Sequence, residues 1–292
     1  MMQIFRDEKL QKQMEQNGIV IVPFLDSAAT AELKGYYQAH PLDLGLPYHS
    51  TVLSTNIAYR RGVHEKIKLE FSASLERTFM PNFRFLFGCY TIKEQGEGSE
   101  WGVHQDWSFV DESRFHSVGV WCPLIDVHPS NGCLGVVRGS HKFLPNIRGT
   151  KTMTEYAPVA GLIREKYLDY YPMKAGEAAI FFNNLIHYSP PNREGPARIT
   201  ANCTMIPEEA QALHYFRDPA WPDEEVEVFE IDTEFLLNND YISQQRPTRG
   251  QSRGKIAHAV TPLSERDFTG MVRKHQSLAH RLKRALRSLV SA

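Results

Sequence analysis

Cysteine is scarce: Cys89, Cys122, Cys133 and Cys203 are the four in 292 residues, and no two form a CxxC pair. That density excludes a disulfide scaffold and leaves no cysteine-rich metal motif. Charge of one sign is missing too. The 33 Lys+Arg against 34 Asp+Glu leave a formal net charge of −1, so no global field favours nucleic acid or an anionic membrane. Apolar runs stop well short of bilayer-spanning length. The opening "MMQIFRDEKLQKQMEQNG" is charged and lacks the apolar stretch of a signal peptide. Internal repeats, low-complexity linkers and a glycine-rich phosphate loop are all missing. The expectation is a reduced, cytoplasmic protein with a small-molecule substrate, no nucleic-acid partner and no integral membrane contact. A homo-oligomer is compatible with the sequence.

What is present describes a globular chain. A hydrophobic content of 42% and a charged content of 23% allow a sizeable core, in one large domain or two ordinary ones. Residues 7–16 read as a polar helix and "IVIVPFL" as a short strand. Asp26 and Ser27 then cap a second helix through "AATAELKGYYQAH". From about residue 82 the texture changes to short β-type runs, among them "FRFLFGCYTI", "WGVHQDWSFV" and "RITANCTMIP". Turn residues at 96–99, 129–132 and 190–196 separate them. This pattern predicts a mainly β fold of jelly-roll type with helices on its outside. Weak strand character over 143–173 predicts a lid. The domain would span 1–240, followed by a polar extension over 241–292. There Leu278, Leu282, Leu286 and Leu289 recur at helical spacing among Arg281, Lys283, Arg284 and Arg287. That end is expected to be a basic amphipathic helix packed on the same domain.

The chemistry concentrates in "WGVHQDWSFVDE". His104 and Asp106 are one residue apart, so on a strand both point to one face. Such a pair can be a structural hydrogen bond, half of a catalytic dyad, or two ligands of a metal. His187, 81 residues beyond Asp106 in "GEAAIFFNNLIHYSPPN", is the candidate third ligand. It follows an apolar strand and precedes a Pro-rich turn. Two imidazoles and one carboxylate hold a dication on one face and leave adjacent positions free, as in non-haem Fe(II) oxygenases. Two of those positions suit a bidentate 2-oxo acid and another suits O₂. Arg198, 11 residues past His187, offers a fixed fork for the distal carboxylate of such a co-substrate. Ser189 and Asn192 lie in the intervening turn and are candidates to fix that carboxylate or the ligand loop.

In order along the chain, "HQD", "NGCLGVVRGSHK" and "GEAAIFFNNLIHYSPPNREGPAR" resemble the phytanoyl-CoA dioxygenase-like family of Fe(II)/2-oxoglutarate oxygenases. The resemblance spans about residues 8–206. It implies a double-stranded β-helix, the jelly-roll or cupin-like core. It also implies iron on His104, Asp106 and His187, and 2-oxoglutarate on Arg198, with Ser189 and Asn192 in the matching H-x-S-x-x-N run. Gln105 and Trp121 fall where members of the family contact the co-substrate. The implied reaction couples O₂-dependent decarboxylation of 2-oxoglutarate, giving succinate and CO₂, to oxidation of an unactivated C–H bond. Hydroxylation in a biosynthetic tailoring step is the default outcome. Related halogenases lack the carboxylate, so Asp106 argues against halogenation.

Two other classes compete. A zinc-dependent hydrolase on a similar barrel would use the His and Asp residues but gives no reason for Arg198. A non-catalytic metabolite-binding barrel gives no reason for the complete set. Elsewhere the plain readings prevail. His141 reads as structural, and His116 and His128 as surface or pocket residues. Trp107 and Phe109 are expected to face away from Asp106 into the core, with Trp107 at most at the pocket rim. Cys89 and Tyr90 are candidates to line the cavity, and Asp111 and Glu112 read as solvated loop charges. The mixed charges around the motif favour a polar or carboxylate-bearing metabolite as substrate.

Overall fold

The computed structural model describes residues 2–143, 147–221, 225–238 and 245–276. Its N-terminal part runs α1 (Glu8–Asn17), β1 (Ile19–Pro23), α2 (Ser27–Ala39), β2 (Tyr48–Ser50), α3 (Ile57–Thr78) and β3 (Phe83–Lys93). The middle contributes β4 (Trp101–His104), β5 (Val118–Pro123), β6 (Leu134–Val136), α4 (Ala160–Lys166), β7 (Asp169–Tyr171), β8 (Glu177–Phe182), β9 (His187–Ser189) and β10 (Arg198–Pro207). There follow β11 (Leu213–Phe216), β12 (Glu225–Glu230), α5 (Thr233–Asn238), β13 (Gln251–Ala257) and α6 (Glu265–His275).

Two antiparallel sheets form the jelly-roll core. The larger has the order β1-β8-β5-β10-β3-β2 and the smaller β4-β9-β6-β7, while β11-β12-β13 make a separate three-stranded sheet. Strand β10 shows how the larger sheet uses both faces. Ile199, Ala201, Cys203 and Met205 pack into the main core with Val63, Ile67, Phe71 and Leu75 of α3. The alternate residues Arg198, Asn202 and Thr204 line a cavity on the opposite side. Period-two alternation therefore puts helices on one face of the sheet and the site on the other.

The N-terminal helices are capped as their sequences suggest. Asp7 accepts from the backbone N–H groups of Lys9 and Leu10, and Asp26 from that of Ala29. Asn56 does the same for α3 through Tyr59. That helix buries Arg60 and His64 beside its apolar residues, so its stripe is thin in sequence. The segment 143–173, expected as a lid, contributes β7 to the smaller sheet. Its Tyr156, Val159, Ile163 and Tyr167 pack with Phe268 and Val272 of α6. The expected helix around Leu278–Leu289 lies outside the described residues. Among the described residues, no helix is long and apolar enough to cross a membrane.

One expected element is shorter than its pattern. The strand predicted over "WGVHQDWSFV" ends at His104, and residues 105–110 run irregularly. In this stretch the chain bonds with remote segments, the Leu213 N–H of β11 donating to the Phe109 carbonyl (2.9 Å). Ser108 N–H donates to the Arg148 carbonyl (3.0 Å), and Arg148 N–H donates to the Ser108 hydroxyl (3.2 Å).

Candidate metal centre and co-substrate pocket

β4 and β9 pair so that His104 and His187 lie directly opposite each other, their ring centroids 4.0 Å apart. Each imidazole is oriented in the same way. His104 Nδ1 lies 2.8 Å from the Gly102 carbonyl and His187 Nδ1 2.9 Å from the Leu185 carbonyl, in both cases two residues upstream. A carbonyl accepts only, so Nδ1 carries the proton and Nε2 presents its lone pair. Burial, with His187 alongside, holds the His104 pKa well below its usual value, so the ring is neutral, as a metal ligand must be. At the rim, the half-exposed Trp101 donates its indole N–H to His104 Nε2 over 2.9 Å and packs on Tyr48.

Asp106 completes the cluster from outside the strand. Its Oδ1 stands 3.7 Å from the Nε2 atoms of both His104 and His187. One ligand atom from each residue can be chosen so that all three lie within 4.8 Å of one another. The shared strand face predicted for His104 and Asp106 is thus replaced by a strand end and a turn. That turn is held by Arg148, whose Nε donates to the Asp106 carbonyl (2.7 Å) and whose Nη atoms fork onto Glu112 (2.8 and 2.5 Å). Glu112 is therefore committed to a buried ion pair and is not a solvated charge. Two neutral imidazoles and one carboxylate suit a first-row transition dication, whereas the hard cations Mg²⁺ and Ca²⁺ favour all-oxygen sets.

Arg198 begins β10 and is 1% exposed. Its guanidinium carbon lies 5.2 Å from the centre of the Trp121 ring. Nε and Nη1 are buried and have no hydrogen-bond partner among the described residues. Burial lowers its pKa to about 10, which leaves it charged at neutral pH. A buried cation with idle donors is costly unless an anion meets it.

Lys93 stands opposite Arg198 in the strand register. Its Nζ donates to the carbonyls of Ser99 (2.7 Å), Ser189 (2.8 Å) and Pro190 (2.7 Å), fastening the turn after His187. Burial, followed by the nearby Arg198 charge, pushes its pKa down to about 6. Three acceptors require three N–H groups, however, and only the ammonium form has them. The hydrogen-bond geometry belongs to the charged state.

The remaining predicted site residues divide. Ser189 lines the cavity and donates to the Gly132 carbonyl (2.8 Å). Gly132 has φ +88°, and a Cβ there would come within 2.9 Å of the Pro190 carbonyl, so glycine alone fits this contact. Trp121 forms a wall beside Arg198, and Gln105 lines the cavity while donating to the Asn184 carbonyl (2.5 Å). Asn192 does not line it. Its amide donates to the Lys93 and Pro196 carbonyls and accepts from Glu194 N–H, so it fixes the ligand loop and does not reach the co-substrate space. His141 is structural, with Nε2 3.2 Å from the Glu15 carbonyl and its ring stacked on Phe182.

Trp107 and Phe109 pack against the hydrophobic cluster around Phe216 and Phe235, as expected of core residues, and also line the cavity. Tyr90, a candidate wall residue, packs into the main core on the other face of β3 and donates to the Leu33 carbonyl. Sequence reasoning missed Tyr48, Lys93, Arg148 and Asn202. Asn202 could have been found by continuing the two-residue period from Arg198. Arg148 carried no local signal, since its partner Glu112 is 36 residues away.

The sequence model of the family described as Phytanoyl-CoA dioxygenase (PhyH) matches residues 52–200, just over half of the chain. The chain belongs to this family. It is 34% identical over 112 residues to an Arabidopsis thaliana protein described as phytanoyl-CoA dioxygenase. That match covers 37% of this chain and 39% of the relative, so the chain spans about two fifths of the length of the curated relative it matches. Among solved structures, the fold is similar to the non-haem α-ketoglutarate-dependent carbocyclase SnoK from nogalamycin biosynthesis. The TM-score is 0.52 at 16% identity, over 70% of this chain and 86% of that one. It is also similar to the epimerase SnoN in complex with Fe³⁺, α-ketoglutarate and nogalamycin RO. Here the TM-score is 0.51 at 18% identity, over 89% of this chain and 96% of that one. These likenesses identify the fold, and the family assignment is consistent with the His-Asp-His cluster.

Proposed function

We propose that this family member is an Fe(II)- and 2-oxoglutarate-dependent oxygenase that hydroxylates an unactivated C–H bond of a small metabolite. The observation that carries the reading is the conjunction of two features in one cavity. The His104–Asp106–His187 cluster offers a three-ligand face, and Arg198 offers buried, unmatched donors for a carboxylate. A hydrolytic zinc site has use for the first feature and none for the second.

An iron(II) ion held by His104, Asp106 and His187 would supply the redox chemistry for oxidation of a 2-oxo acid by O₂. The chain's own residues do the rest. Arg198 binds and orients the distal carboxylate, with Trp121 holding the guanidinium plane. Ser189 and Lys93 keep the His187 turn in place, and Arg148 keeps the Asp106 turn in place. The apolar walls keep bulk water from the reacting carbon. In the overall reaction 2-oxoglutarate leaves as succinate and CO₂, with one oxygen atom of O₂ in succinate and the other in the product. A cytoplasmic tailoring step in biosynthesis is the setting we propose. The neighbouring structures described as a carbocyclase and an epimerase make ring formation and epimerisation the outcomes to screen alongside hydroxylation.

The test is an anaerobic titration of the protein with Fe(II) and 2-oxoglutarate, followed by the metal-to-ligand charge-transfer absorption in the visible. A band in the parent protein that Arg198→Ala shifts to much higher 2-oxoglutarate concentration supports the assignment. Absence of a band, with Zn²⁺ retained through purification and O₂-independent hydrolysis, replaces it with the hydrolase.

A further inference from the structure

The register sorts the cavity-bearing face of the larger sheet into layers, in which Lys93 and Thr200 do not themselves line the cavity. Tyr48, Lys93 and Arg198 lie across from one another, and then Ser50, Thr91 and Thr200. Next come Cys89, Asn202 and Trp121, and beyond them Phe87, Thr204 and Gly119. Formal charge is confined to the first layer. The second is hydroxyl-bearing, the third neutral and the fourth largely apolar. The irregular segment after β4 brings Trp107 and Phe109 to the same cavity. Cys89, Asn202 and Trp121 line the same cavity as His104, Asp106 and His187.

On the oxygenase reading, Arg198 is taken by the co-substrate and the three ligands by the metal. Nothing with a formal charge remains on the described lining of the other end. Burial pushes the Cys89 thiol up to about 11, so it is neutral. Glu112, the acidic side chain closest to this segment in sequence that is also buried, is paired with Arg148. A carboxylate, phosphate or ammonium brought there would be desolvated without a counter-charge. Asn202 supplies a directional feature. Its Nδ2 is held by the Cys89 carbonyl, Thr91 Oγ1 and the Thr200 carbonyl, which fixes the amide, while Oδ1 has no partner among the described residues. The cavity measures about 360 Å³ for both molecules, near the small end of the roughly 300–1,000 Å³ usual for ligand sites.

The geometry points to a substrate whose reacting portion is uncharged, ring-sized and apolar-faced, held between Phe87, Trp107 and Phe109 and giving one hydrogen bond to Asn202 Oδ1. This deepens the oxygenase reading and rests on it. It also overturns the expectation of a carboxylate-bearing metabolite. The charged residues that follow the motif, Asp111 and Glu112, do not line the cavity, and Glu112 is neutralised by Arg148.

The test uses three probes that share a ring and differ in charge: naphthylmethanol, naphthoate and naphthylmethylammonium. Each is titrated calorimetrically into the anaerobic protein loaded with Fe(II) and 2-oxoglutarate. The alcohol is expected to bind at least about 10-fold more tightly than either ion. The isosteric Asn202→Asp should turn the preference toward the ammonium, and Thr204→Lys should turn it toward naphthoate. Equal or tighter binding of either ion by the parent protein overturns the inference, as does failure of all three to bind while the charge-transfer band forms. If the band itself does not form, the oxygenase reading fails. The probe ranking in the same sample then still decides whether this end of the cavity prefers neutral ligands.

Discussion

His187 sits within β9, between β4 and β6, and is 5% exposed. Asp106 lies in irregular chain beyond β4, with its side chain 37% exposed. Both serve one cluster, yet their positions are fixed by different physics. Backbone pairing on both sides places His187, and the pleat with its Nδ1 bond to the Leu185 carbonyl determines where its ring points. No ladder holds Asp106, so its place depends on the Arg148 fork reaching from a remote segment. The difference teaches that this site is half sheet and half ion pair. The two halves should fail differently.

The largest expected effect is from Asp106→Ala, which removes one of the three proposed ligands and should abolish Fe(II)-dependent succinate release while leaving the melting temperature near that of the parent. Retained turnover would break the ligand assignment itself. Next comes Arg148→Met, which strands Glu112 and frees the Asp106 turn. It should weaken metal binding about 10–100-fold, read by calorimetry. It should also lower stability by about 3–5 kcal/mol in chemical denaturation. If metal affinity were unchanged, Asp106 would be held by something other than this pair, and the contrast with His187 would collapse.

Ser189→Ala probes the sheet half. It loses one hydrogen bond to Gly132, worth about 0.5–1.5 kcal/mol, with metal affinity unchanged because strand pairing still places His187. A loss of affinity as large as that of Arg148→Met would erase the distinction. The smallest effect is expected from Glu97→Ala. Its ion pair with Arg193 sits on the same turn but in solvent, so neither melting temperature nor metal affinity should move measurably.

The same contrast explains what was legible in the sequence. His104, Asp106, His187, Ser189 and Arg198 sit in short contiguous motifs, and the strands carry all but Asp106, which reaches the cavity from the turn after β4. The jelly-roll class was legible from the many short β runs and their turn residues. The residues that hold the site from a distance were not. Arg148 and Glu112 meet only after the chain folds, and Lys93 looked like any strand-end lysine until its three carbonyls converged on it. The stretch from Gln105 to Val110 was read as strand from its alternation, yet bonding to Arg148 draws it away from the sheet. Trp107 and Phe109 therefore face the cavity as well as the core. Helix α3 was obscured by Arg60 and His64, polar residues buried on a face that periodicity expects to be apolar.

The indole hydrogen of Trp101 has a consequence for how the centre fills. It rests on the His104 Nε2 lone pair, and a lone pair serves one partner at a time. Loading is therefore an exchange in which the ring must leave its bond as the ion arrives. On the oxygenase reading, Trp101 fluorescence is expected to change as Fe(II) is added to the anaerobic protein, and an unchanged signal would place the ion elsewhere. The protein carries its own reporter for the event.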